Sequence, residues 1–104
     1  MSSKHDAEIK SLLSISPKAY RFIVNELEAN YHIHSYDIQA SGIKKKDGIH
    51  IILRFGEQFT NKEERFFLNK QVESLGDELR EFVESTGETC KQVLIDDYFK
   101  TMAP

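Results

Sequence analysis

The chain has 104 residues, 39% hydrophobic and 30% charged, with seven Phe and four Tyr and a net charge of −3. A chain of this length holds one core that buries roughly 65% of its unfolded surface, which excludes two domains and general disorder. A single domain over residues 1–104 is expected, with a flexible polar start at residues 1–5. Cys90 is the only cysteine, which excludes an internal disulfide and a thiolate metal cluster. No apolar run exceeds three residues, so neither a secretory core nor a membrane span is expected, and the cytoplasm is the expected location.

In chain order, Asp6 caps a short helix carrying Ile9, Leu12 and Leu13 to about Ser14. Ser16 at the N-cap and Pro17 at the first helical position open a second helix. Its stripe of Tyr20, Ile23, Val24, Leu27 and Tyr31 lies opposite Lys18, Arg21, Asn25 and Glu28. Asp47-Gly48 is a two-residue turn signal, because both central positions of a type I′ turn need positive φ. It predicts antiparallel strands over about 35–46 and 49–56, with Ile43 opposite Ile52 and Ala40 opposite Phe55. In that register Tyr36, Ile38, Ala40, Ile49, Ile51, Leu53 and Phe55 share an apolar face, and His50 and Arg54 lie on the other.

Thr60 and Glu63 read as a capping box that opens a long helix over about 61–86, with Leu68, Val72, Leu75, Leu79 and Phe82 buried and a stop at Gly87. Thr89 to Gln92 reads as a second box before a terminal helix bearing Leu94, Ile95, Tyr98, Phe99 and Met102, with a strand at 93–95 as the other reading. The fold class is therefore α+β in the order α-α-β-β-α-α, helices covering one face of the hairpin.

Few residues point to chemistry. His32 and His34 share one side of an extended segment, but His50 as third ligand falls on the opposite sheet face, so no metal ligands are assigned. Cys90 beside Lys91 at a helix start would favour a thiolate, but no positioned base accompanies it, and a partly buried, inert cysteine is expected. The carboxylate pairs Glu63-Glu64, Asp77-Glu78 and Asp96-Asp97 are adjacent in helices and diverge by about 100°. No phosphate-cradling or nucleophile-elbow string occurs, so neither catalytic nor cofactor-binding residues are assigned.

Two surface features remain. Lys44, Lys45 and Lys46 form a basic hairpin tip, continued by His50 and Arg54, that would follow a polyanion, although Asp47 interrupts it and no exposed aromatic is evident beside it for base stacking. Ile43 and Ile52 form an apolar island on the polar face, the candidate contact of a homodimer. The expectation is a non-enzymatic, cytoplasmic protein-interaction or regulatory protein, homodimeric and without a cofactor. The alternatives are a nucleic-acid-binding module using the basic tip, and a small enzyme or ligand binder whose site forms at a dimer interface.

Overall fold

The computed structural model describes residues 8–102, so Asp6 and residues 1–5 lie outside the described part. Four strands form an antiparallel sheet in sequence order: β1 (Lys10–Ser11), β2 (Ile38–Lys44), β3 (Gly48–Phe55) and β4 (Asn61–Leu68). The helices are α1 (Leu12–Ile15), α2 (Pro17–Tyr31), α3 (Asn69–Ser74) and α4 (Asp77–Met102). The class is α+β, with a long C-terminal helix.

Local chemistry explains α2. The Ser16 hydroxyl accepts the Ala19 N–H at 3.2 Å, and Pro17 sits where its missing donor costs nothing. Ala19, Ile23 and Leu27 are buried. His32 ends the helix in the left-handed region, at φ 57°, its N–H bonded to the Glu28 carbonyl. Phe22 packs against the core edge beneath the Arg80 guanidinium, 5.5 Å from its ring centre, and so widens the buried face.

The sheet departs from expectation in four places. Over the described part of the expected first helix, Lys10 and Ser11 form β1 and helix is confined to the single turn of α1. Ser35–Asp37 is a 3-10 turn, so the first hairpin strand begins at Ile38 and Tyr36 is 76% exposed rather than in the apolar face. The hairpin register differs by two residues: Ile43 faces His50, Ser41 faces Ile52 and Ala40 faces Leu53. A two-residue slip keeps every side chain on its own face, so Ile38, Ile49, Ile51, Leu53 and Phe55 are buried under the helices as expected.

The register differs because the turn is centred on Lys46-Asp47, closed by the Lys45 N–H to the Gly48 carbonyl at 2.8 Å. Gly48 already belongs to β3, opposite Leu68. A Cβ on Gly48 would lie 2.1 Å from the Phe67 carbonyl oxygen and 2.6 Å from the Phe66 ring. The glycine serves close approach of β4, not the turn.

The fourth departure is the helix over 61–86. Residues 61–68 are the edge strand β4, with Phe67 buried and its charged residues exposed or half-buried. Charged side chains suit an edge that must not recruit other strands. Leu75, at φ 51°, terminates α3. Gly76 then precedes α4, whose first turn carries Asp77 and Glu78 at the positive end of the helix dipole.

α4 then continues through Gly87 and Thr89, where a stop and a second start were expected. Gly87 is in the helix because α2 crosses there: a Cβ would meet the Tyr31 ring at 2.6 Å. The strand reading of 93–95 is likewise replaced by helix. Leu79, Phe82, Val83 and Cys90 bury α4 against the rest of the core. At about 1.5 Å per residue this 26-residue helix is about 39 Å long, and it stretches the molecule to 51 × 32 × 18 Å. Among the described residues no helix is long and apolar enough to cross a membrane.

Candidate functional site

Two surfaces are built by these elements, one at each extremity of the fold's chemistry. The first is the outer face of the sheet, the side without helices. Along β3 it carries Gly48, His50, Ile52 and Arg54, and opposite them on β4 stand Leu68, Phe66, Glu64 and Lys62. Ile52 is only 4% exposed, enclosed by its sheet neighbours, and Ile43 is half-buried. The accessible apolar groups of this face are Phe66 and Leu68, 39% and 40% exposed.

His50 points outward as expected, with Nε2 2.7 Å from Glu64 Oε1, and Lys62 Nζ lies 3.2 Å from the other carboxylate oxygen. These two partners, the His50 bond first, hold the Glu64 carboxyl below its ordinary pKa. Glu64 is the one acid among the outward positions of β2, β3 and β4, and both its oxygens are engaged.

Lys44, Lys45 and Lys46 stand exposed at the end of this face. The Asn69 N–H bonds the Asp47 carbonyl at 3.0 Å, which ties the start of α3 to the hairpin loop. Lys70 therefore joins the lysines: one hollow is lined by Lys46, Asp47, Leu68, Asn69 and Lys70, and another by Lys44 to Asp47. None of the four lysines pairs with a described acid. Arg54 is not part of this cluster; six residues along β3 separate it from Gly48, about 20 Å of strand.

The second surface is an apolar groove of about 540 Å³ between the end of α2 and the last turns of α4. Tyr31, His32 and Ile33 line one side, and Leu94, Ile95, Tyr98 and Phe99 the other, with Lys91 at the rim. Burial along α4 fades after Cys90, leaving Tyr98 and Phe99 60% and 64% exposed, edge to face at 5.7 Å. Asp96 and Asp97 point to a different hollow, with Glu57 and Asn61, where Asp97 accepts the Glu57 N–H.

The remaining sequence candidates are dispersed. Cys90 lies within α4, not at a helix start, so no free amides reach it. Burial, with a smaller contribution from the Asp37 charge, pushes its thiol up to about 11. This is the environment of a buried, inert cysteine, as expected, and not that of a thiolate. His34 stacks on Tyr36 at 5.2 Å and sits 3.4 Å from Glu28, while His32 caps α2. Among the described residues no group of three or more His, Cys, Asp or Glu gathers around a point.

Lys70, Phe66, Leu68 and the terminal groove were not assigned to any site from sequence. The first three were hidden by reading 61–68 as helix. Phe66, Phe67 and Leu68 alternate exposed, buried, exposed in the strand, but as three apolar residues in a row they carry no alternation that the sequence could show. No family model, curated protein or solved structure matches the chain.

Proposed function

We propose that the chain is a non-enzymatic cytoplasmic interaction protein that self-associates through the free end of α4. The observation that carries this reading is the pair of exposed aromatics, Tyr98 and Phe99, beside a groove lined by Tyr31, Ile33 and Leu94. Tyr98 and Phe99 form one wall of that groove, and a two-fold contact sets this same apolar patch of two copies against each other. Among the described residues Lys91 is the only Lys, Arg, Asp or Glu lining that groove, and charge is depleted at the centre of protein interfaces. Asp96 and Asp97 face elsewhere and do not oppose a second acidic helix.

The reading favours α4 over Ile43 and Ile52 as the contact, since Ile52 offers almost no surface in the single chain. Sedimentation equilibrium is expected to give twice the 12.1 kDa chain mass. Tyr98→Glu/Phe99→Glu should return it to one chain mass with an unchanged circular dichroism spectrum. A wild-type chain that stays at 12.1 kDa at millimolar concentration, or a double variant that still dimerises, refutes the reading.

A further inference from the structure

From the outer face of the sheet we infer a second site, a platform for single-stranded nucleic acid made of Phe66 and Lys44, Lys45, Lys46 and Lys70. It stands independently of the self-association reading.

The sequence sets two features against such a site: Asp47 among the four lysines, which still leaves the tip cationic, and the lack of an exposed aromatic near them. The fold supplies one. The Phe66 ring lies across Gly48, with ring atoms 2.6 and 3.0 Å from where a Cβ would be, so bare backbone supports the ring from beneath. Its residue keeps 39% of its surface open. Gly48 follows the turn directly, which sets the ring within two residues of Lys46. Side-chain aromatics held in this way accept a base by stacking, with little regard to which base.

The electrostatics agree. The four lysines at the tip are free of described acidic partners, and the face's one acid is engaged by His50 and Lys62. The strongly acidic α4 lies on the other side of the sheet. Although the chain is acidic overall, this side presents cations where a phosphate backbone would run. A base must leave its own stack to lie on Phe66, which selects single strands over duplex.

Fluorescence anisotropy with labelled dT12 and U12 tests the site. Binding to one or both is expected in the 1–100 µM range at low salt, weakening steeply as salt rises, about 0.7 in logarithmic slope per phosphate contact. Phe66→Leu, which keeps the apolar bulk but not the ring face, should weaken binding about tenfold, and Phe66→Tyr should restore it. Lys44/Lys45/Lys46/Lys70→Gln should flatten the salt slope by up to about 3. Melting curves confirm that each variant is folded. The inference is overturned by no binding below 100 µM, by equal affinity for a duplex of the same length, by indifference to Phe66→Leu, or by binding to anionic phosphatidylserine vesicles but not to either oligonucleotide.

Discussion

Replacing Gly87 by Ala separates two accounts of why a glycine sits inside a long helix. Glycine in a helix interior is about 0.8–1.0 kcal/mol less favourable than alanine, so the substitution alone should stabilise α4. In this fold the new methyl would stand 2.6 Å from two Tyr31 ring carbons. Overpacking of that kind costs about 1–3 kcal/mol. Tyr31 has little freedom to move, because its hydroxyl donates to the Glu84 carbonyl at 3.3 Å and its ring packs against the core.

The net expectation is a loss of about 0–2 kcal/mol from the difference of these terms. In a Tyr31→Ala background the obstacle is gone, and the same Gly87→Ala change should instead stabilise by about 1 kcal/mol. Urea titration of the four chains closes the cycle, with a coupling of about 1–3 kcal/mol between the two positions. Equal effects of Gly87→Ala in both backgrounds, within about 0.5 kcal/mol, would falsify the close-approach account.

Three further outcomes follow from the geometry. Gly48→Ala should cost more than about 3 kcal/mol or prevent folding, because the methyl meets a backbone carbonyl that cannot swing aside; a cost under about 1 kcal/mol would restore the turn account. Cys90 should resist Ellman's reagent until the protein is unfolded. Its raised thiol pKa contributes stability that is complete below about pH 9 and is lost as pH rises through about 11; Tyr31, whose phenol is raised by burial and by Glu88, Glu84 and Glu26, acts in the same direction. Cys90→Ala should therefore make the alkaline fall shallower, and rapid labelling of the native thiol at pH 8 would contradict the burial. The Glu64 carboxyl should titrate below 4.5 by NMR, so its contribution is present above that pH and lost as pH falls through the folded value. His50→Ala should raise the midpoint, and an unmoved midpoint would mean the His50 bond is not the main cause.

The hairpin faces were legible because period-two alternation in Ile49, Ile51, Leu53 and Phe55 is strict, and a two-residue register error leaves it intact. Residues 61–68 were not legible, because an edge strand charged on both faces has the composition of a helix. Thr60 and Glu63 then imitate a capping box, although the Thr60 hydroxyl in fact donates to the Glu57 carbonyl. Gly87 read as a terminator because glycine's need for space against Tyr31, 56 positions earlier in the chain, leaves no local mark. The lysine tip was visible, but Lys70 and Phe66 reach it only through the β3–β4 pairing. The groove at α4 forms only when Tyr31 to Ile33 are brought beside Lys91 to Phe99, about 60 positions later in the chain.

The crossing of α2 over α4 also bears on the order in which the molecule assembles. β2, β3 and β4 follow one another through turns of a few residues, whereas the Tyr31–Glu84 and Lys18–Glu73 hydrogen bonds close loops of 53 and 55 residues. The longer closure costs about 2 kcal/mol more in chain entropy than a five-residue turn. The meander should therefore form early and the helix crossing late, after the rate-limiting barrier. Gly87→Ala should then steepen nothing in the refolding limb of a chevron plot and act almost wholly by hastening unfolding.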